Sequence, residues 1–326
     1  MAGLIVIAGP TASGKSAFAL RLAESLGGVI INADSMQLYR ELQILSARPS
    51  PAEEARVPHR LYGALDAGEA GSVAGWLELA AAEIASATSA GKVAVVVGGT
   101  GLYLHALLHG LAPVPDVPVE VRRRTRERAS GLGSAALHAE LARRDPAMAA
   151  RLEPGDRQRV MRALEVAAAT GRSLAEWQTR PPLRVALPER RTGFVLMPPR
   201  AELYARIERR LRAMIAAGVL EELAALRARA LAPGLPAMKA VGVPELLAHL
   251  EGRLDLESAL ARAIVQTRRY AKRQLTWFRH RLPELEPLRA FGDAREGLPQ
   301  PRDVRSLLLT GQAAHLSVQR TNDRGP

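Results

Sequence analysis

The chain of 326 residues has a hydrophobic fraction of 48% and no cysteine, which excludes disulfides and thiolate metal sites and fits a globular protein with room for more than one domain. Lys and Arg number 45 against 33 acids, a formal charge of +12 that favours a polyanionic partner. No apolar run approaches the ~18 residues of a membrane span, and the chain enters its first strand without a leader, so a cytoplasmic protein with no membrane association is expected.

In chain order, Leu4–Ala8 reads as a short buried strand. Gly9-Pro10-Thr11-Ala12-Ser13-Gly14-Lys15-Ser16 follows it and fits the phosphate-loop pattern G-x-x-x-x-G-K-[ST], and Phe18, Leu22 and Leu26 then recur at helical spacing. Residues 28–33 read as a second strand ending at Asp34, and Val57–Leu65 as an edge segment or loop. A helix is predicted over Trp76–Ser86. Val93–Val97 is a buried strand that runs into Gly98-Gly99-Thr100-Gly101 and a helix from Leu102. Strands alternating with helices predict a P-loop NTPase-like parallel sheet, with ligands at the carboxyl ends of its strands.

The prolines of Pro113–Pro118 mark a boundary, and the pattern from Glu120 to about Trp177 is helical and charged. Gly193–Met197 resumes the sheet, followed by helices from Glu202, over Ala216–Arg229 and from Leu256. The expected organisation is an α/β core over 1–114, an inserted all-helical domain over 115–185, a second core segment over 186–288 with a basic helix, and a disordered tail over 289–326. In the basic helix, Ile264, Ala271, Leu275, Phe278 and Leu282 form one stripe for the core. Arg269, Lys272, Arg273 and Arg279 fall off that stripe, and no acid occurs between Glu257 and Glu284. A run this one-sided is read as an anion-facing surface.

The phosphate loop belongs to the type found in ATP-binding proteins. Its amides can surround a phosphate, with Lys15 on the outer oxygens and Ser16 on Mg²⁺. The usual strand-end acid of a kinase is missing, because Val93–Val97 ends in Gly98-Gly99. Asp34 is the carboxylate that ends a core strand. It is available as a proton acceptor, as the N-cap of a helix near Ser35, or as both. Thr100 has two readings, a helix cap or a donor to a leaving phosphate.

Five segments together resemble the tRNA dimethylallyltransferase family in its bacterial form. They are Gly9–Ser16, Ala33–Tyr39, Gly98–Tyr103, Asp156–Val166 and Ala271–Arg279, in the family's order and spanning about residues 4–282. Leu203–Ile207 through Met214 and Gly218 is similar to a further family segment. The resemblance implies transfer of a dimethylallyl group from its diphosphate to N6 of the adenosine 3′ of the anticodon, with pyrophosphate leaving and Mg²⁺ assisting. It implies that Gly9, Thr11, Ala12, Ser13, Gly14, Lys15 and Ser16 bind the isoprenoid diphosphate, with Ser16 on the metal. Asp34 would take the N6 proton, and Lys15, Thr100 and Arg206, or an arginine near it, would stabilise the diphosphate. Asp34, Ser35, Met36, Gln37, Thr100, Arg122, Gln158, Arg159, Val160, Met161 and Arg162 would contact the tRNA anticodon stem-loop, and Arg269, Lys272 and Arg273 would add charge. The protein is expected to act as a monomer.

Two segments depart from the family's pattern. Leu45-Ser46-Ala47-Arg48 stands where Gly-Thr-Ala-Lys is usual, and Gly242-Val243-Pro244-Glu245 where Gly-Tyr-Lys-Glu is usual. A small-metabolite kinase would account for residues 9–16 but not for the basic helix or the insertion. An enzyme prenylating free adenine nucleotides would need neither. A non-catalytic RNA-binding protein would not need Lys15, Ser16 and Asp34 together.

Overall fold

A computed structural model describes residues 2–310. Apolar, β-branched runs make β1 (Gly3–Ala8), fully buried on both faces, and the loop after it opens helix α1 (Lys15–Leu26). Gly27, at φ 63°, ends that helix in the left-handed region. There follow β2 (Val29–Asn32), a single turn α2 (Pro51–Glu54), β3 (His59–Arg60), α3 (Val73–Ser89), β4 (Val93–Gly98) and α4 (Gly101–His109). A helical segment contains α5 (Val119–Ala129), α6 (Ser134–Arg144), α7 (Pro146–Ala149), α8 (Arg157–Thr170) and α9 (Leu174–Gln178). The chain then forms β5 (Arg191–Leu196), α10 (Arg200–Ala216), α11 (Val219–Ala228), α12 (Val243–Leu250), α13 (Leu256–Arg281), β6 (Glu286–Leu288) and α14 (Pro301–Thr310).

The six strands form one parallel sheet in the order β3-β2-β4-β1-β5-β6. The central strands β1 and β4 pair in register from Gly3 with Val93 to Ala8 with Gly98. That register brings the phosphate loop and the Gly98–Gly101 loop out of adjacent strands at the same level. β2 joins β4 on the other side, Asn32 opposite Val97, so Asp34 emerges beside both. Phe18, Leu22, Ile5, Ile7, Val95 and Phe194 fill the space between the sheet and α1. A second cluster, from Tyr39 and Leu42 through Leu203, Ile207, Leu211, Leu223, Leu246 and Leu260, joins α10–α13 to the loop after β2.

The chain divides into two compact units, Met1–Leu107 with the chain from Val185, and Leu108–Arg184. The helical unit therefore starts earlier than residue 115. Its neck is a two-residue antiparallel bridge in which Leu111 and Leu183 exchange backbone hydrogen bonds of 3.0 and 2.9 Å. The proline cluster lies inside the unit, where Val117 is buried with Leu137, Leu141, Val160 and Leu164. No helix among the described residues is long and apolar enough to cross a membrane.

The tail expected to be disordered from residue 289 is structured through 310. Val304 and Leu308 of α14 are completely buried against the face of the sheet that carries α1, and Leu308 covers Gly3. Two buried apolar residues four apart anchor this short helix, a signal masked by its polar surroundings. The rest of that expected tail, 311–326, lies outside the described residues.

Candidate functional site

The phosphate loop is held open by its backbone. Gly14 has φ 81° and Ala12 φ 63°, a left-handed value that a side chain rarely adopts, so local strain is stored at the loop. Ser13 N–H donates to Pro10 O at 3.2 Å, and Gly292 N–H donates to Ser13 O at 2.9 Å from the far side. Gly292 lies so close to Gly14 that a Cβ there would meet Gly14 O at 2.1 Å. The stretch Phe291–Asp293 is thus the backing of the loop, and nothing in the sequence pattern pointed to it.

Lys15 opens α1 and lies half-buried, its Nζ 3.5 Å from Pro10 O. Burial pulls its pKa down from the usual lysine value to about 8, with Asp34 opposing the shift and Arg210 adding to it. Ser16 is exposed in the first turn of α1.

Asp34 is fixed through its backbone by Asn32, whose side chain is fully buried. Asn32 Oδ1 accepts Asp34 N–H at 2.8 Å, and Nδ2 donates to Asp34 O and Leu61 O, each at 3.0 Å. Asp34 Oδ1 accepts Met36 N–H at 3.0 Å. No helix follows. Residues 35–38 form turns, so the cap expected of Asp34 is an Asx turn, and the helix near Ser35 is absent. Thr100 Oγ1 accepts Ser35 N–H at 2.9 Å and donates to Ser35 Oγ at 3.2 Å. The hydroxyl therefore ties the Asp34 turn to the loop after β4, and Tyr270 lies close enough for that hydroxyl to act on its phenol.

The phosphate loop and the Asp34 turn border a cavity of about 230 Å³. Its polar border has Thr11, Asp34, Arg210, Lys239 and Tyr270, and its apolar wall includes Leu42, Leu45, Ile207, Leu211 and Met214. The polar border thus combines one carboxylate with two cations, and Lys15 lies within electrostatic reach of both Asp34 and Arg210. Met36 and Ser46 also line it, as do Ala240 and Val241 just before the departure at Gly242.

Several expected contacts are placed elsewhere. Arg206 is paired with Asp293 through two hydrogen bonds, one of 2.8 Å, and its guanidinium stacks 4.1 Å from the Phe291 ring. It secures the backing of the loop. Arg210, one turn further along α10, is the arginine that reaches the cavity, and burial lowers its pKa against the opposing pull of Asp34. Gln37 is buried, and its Nε2 donates to Ser46 O at 3.0 Å and Ala47 O at 2.9 Å, so that group shapes the 44–47 loop and is not available to a ligand. Arg48 turns its guanidinium to Arg40 O at 3.2 Å and packs on Gly63.

Within the helical unit, Val160 has no exposed surface, because helical periodicity points it at Leu137 and Leu164 in that unit's core. A nucleic-acid contact through its side chain is therefore ruled out. Gln158 and Arg159 are exposed on α8, and Met161 is half-buried. Arg159 pairs with the N-cap Asp156. Arg122 and Arg162 are half-buried and close enough to act on one another. Burial is the main cause that lowers the Arg162 pKa, with Glu165 opposing it and Arg122 adding to it. On α13 of the core unit, Arg269, Lys272, Arg273 and Arg279 are all exposed, while Ile264, Ala271, Phe278 and Leu282 are buried as the stripe required. Arg273 lies 5.8 Å from the Tyr270 ring.

Two buried polar residues that position the site were missed by sequence reading, Asn32 and Gln274. Gln274 accepts Thr11 N–H and donates to Gly99 O. Both sat inside segments read for their charged neighbours. A polar residue on an otherwise apolar face, as Gln274 is on the α13 stripe, was the available signal.

A protein-family profile described as IPP transferase matches residues 37–281. A tRNA dimethylallyltransferase of Rhodopseudomonas palustris strain BisB18 is 57% identical over 284 residues, covering 86% of this chain and 89% of the relative. One from Rhodospirillum rubrum is 58% identical over 281 residues, covering 86% of each. Among solved structures, the full-length tRNA isopentenylpyrophosphate transferase of Bacillus halodurans superimposes with a TM-score of 0.67 at 31% identity, over 95% of this chain and 98% of its own. A eukaryotic dimethylallyltransferase described as acting on tRNA gives 0.69 at 27% identity, over 85% and 70%.

Proposed function

The chain belongs to the tRNA dimethylallyltransferase family, and from that premise we propose how its residues divide the work. Its reaction is transfer of a dimethylallyl group from dimethylallyl diphosphate to N6 of the adenosine 3′ of the anticodon in tRNA, with release of pyrophosphate. The observation that supports the residue assignment is the cavity itself, whose lining combines Thr11 and Ala12 of the phosphate loop, the cations Arg210 and Lys239, the carboxylate of Asp34 and an apolar wall.

Residues 9–16 hold the diphosphate, with Lys15 and Arg210 countering its charge. The five-carbon group lies against Leu42, Leu45, Leu211 and Met214, where burial of each methylene is worth about 0.8 kcal/mol. A kinase pocket built for a nucleobase or sugar would have little use for such a wall. Ser16 offers an exposed hydroxyl beside the loop, and no cluster of three His, Asp or Glu among the described residues could hold a metal alone. That donor set fits Mg²⁺, which keeps waters and takes substrate phosphate oxygens. Ser16 would hold Mg²⁺ there, and the bound ion would supply charge neutralisation for the leaving pyrophosphate.

The exocyclic amine is a weak nucleophile, so positioning and charge stabilisation carry most of the rate. Asp34 Oδ1 is engaged by Met36 N–H, which leaves Oδ2 as the freer oxygen to take the N6 proton. The target base leaves its stack to reach this partly buried carboxylate. Arg269, Lys272 and Arg273 hold tRNA phosphates, and in the helical unit Arg122, Gln158 and Arg162 contact the anticodon arm. The test is mass spectrometry of nucleosides from tRNA incubated with the protein, Mg²⁺ and dimethylallyl diphosphate. A gain of one dimethylallyl group on adenosine is expected. Turnover of ATP with no modified adenosine overturns the reading.

A further inference from the structure

Resting on that reading, we propose that Gln274 is a positioning residue that sets the spacing between the diphosphate loop and the loop that carries Thr100. Its side chain is 5% exposed and bridges two segments far from it in sequence. The amide oxygen accepts Thr11 N–H at 2.9 Å, and the amide nitrogen donates to Gly99 O at 2.8 Å. One planar group thus ties the phosphate loop to the loop after β4. The bridge needs an acceptor and a donor on one rigid unit of this length, which an amide supplies at any pH and a carboxyl only when protonated.

The neighbours on the same face of α13 act in concert with it. Tyr270, four residues earlier, borders the cavity and lies close enough to Thr100 for that hydroxyl to act on its phenol. Trp277, three residues later, covers Gly101 so closely that a Cβ there would meet its ring at 2.1 Å. A Cβ on Gly99 would meet Gln274 Nε2 at 2.4 Å and Asp34 Oδ2 at 3.2 Å, so Gly99 is small to admit the amide beside the carboxylate. The glycines of Gly98–Gly101 therefore make room for Ala33, Gln274 and Trp277. The exposed surface of α13 carries Arg269, Lys272 and Arg273. A single rigid helix thus bears the proposed tRNA phosphate contacts outside and the loop spacer inside.

A shift of about 1 Å in reacting groups can cost on the order of 10²-fold in rate. Gln274→Leu keeps the bulk and removes both bonds. In the full-length protein its kcat for prenyl transfer should fall about 10- to 100-fold, with KM for dimethylallyl diphosphate and Kd for tRNA within about threefold of wild type. Circular dichroism and thermal melting confirm that the variant is folded. A folded Gln274→Leu with kcat within twofold of wild type, or with its whole loss in KM, overturns the proposal.

Should that variant not fold, Gln274→Glu decides. The introduced carboxyl, when protonated, can replace the amide, its carbonyl accepting Thr11 N–H and its O–H donating to Gly99 O, whereas the ionised carboxylate repels Gly99 O and Asp34. Burial and Asp34 both favour the neutral form. The kcat of this variant relative to wild type at the same pH should stay near one where the carboxyl is neutral and otherwise climb as pH falls from 8 to 6; a ratio that stays well below one and flat, or that falls as pH falls, overturns the proposal. Wild-type protein run beside the variants separates the two ideas. If it transfers no dimethylallyl group, the functional reading has failed and not the positioning role.

Discussion

If Lys15 meets the diphosphate as proposed, binding should titrate in a range where ordinary lysines do not. Its amine is held at about 8 in the ligand-free protein, chiefly by burial, with Arg210 contributing. A bound diphosphate favours the charged amine, so binding draws in a proton wherever the free enzyme has lost it. With a pKa of about 8, roughly a tenth of the free protein carries a neutral Lys15 at pH 7, half at pH 8 and about nine-tenths at pH 9. The apparent Kd for dimethylallyl diphosphate should therefore rise about tenfold from pH 7 to pH 9. The ligand's own last ionisation, near 6, is nearly complete across that window. Isothermal titration calorimetry without tRNA measures both quantities. Run in buffers of different ionisation enthalpy at constant salt, it should report about 0.1 proton taken up at pH 7 and about 0.9 at pH 9. Lys15→Met should bind weakly and show neither the pH dependence nor the uptake. An affinity that stays level from pH 7 to 9, with buffer-independent heats, would refute the reasoning, because Lys15 would then either not be depressed or not meet the ligand.

Asp34→Asn should keep the Met36 turn and lose the proton acceptor, lowering single-turnover prenyl transfer about 10²–10⁴-fold with tRNA affinity within a few fold; near-wild-type transfer would leave Asp34 a turn residue only. Arg210→Gln should weaken dimethylallyl diphosphate binding at least tenfold in calorimetry, whereas Arg206→Gln should act mainly on the melting temperature, since its partners are Asp293 and Phe291; the reverse ranking would return the diphosphate to Arg206. Replacing Arg269, Lys272 and Arg273 with Ala should weaken all tRNAs alike and flatten the plot of log Kd against log salt by roughly 0.7–0.9 per lost phosphate contact. An unchanged slope in filter binding would mean that the exposed face of α13 does not meet the phosphates.

The features legible in the sequence were those set by local chemistry. The phosphate loop, the buried strands β1 and β4 and the amphipathic α13 each announce themselves through neighbours at fixed spacing, and the sheet that joins them follows from strand–helix alternation. Arg206 and Arg210 show where such reasoning stops. Both are arginines on α10, one helical turn apart, and periodicity puts them on nearly the same face. What separates them is Asp293, 87 residues away, which captures the first and leaves the second to the cavity. Val160 is the converse case, where a run of plausible contact residues, Gln158–Arg162, had to include one that the helix turns inward.

Asn32, Gln274 and the Phe291–Asp293 stretch share a property that explains why they were silent. Each acts by bonding backbone atoms of a loop at the site. Asn32 holds the backbone of Asp34, Gln274 holds Thr11 and Gly99, and Gly292 holds Ser13. The reacting groups stand on loops, and loops have no internal ladder to keep their spacing. A displacement electrophile and a weak amine nucleophile must be aligned to within a fraction of an ångström for positioning to supply the rate. The rigidity has to come from outside the loops, from a buried strand residue, a long helix and a chain segment folded behind. On this argument the residues that set the rate of this enzyme divide into those that touch substrate, recognisable by type and spacing, and those that hold the loops still. The second set is found only once the chain has folded.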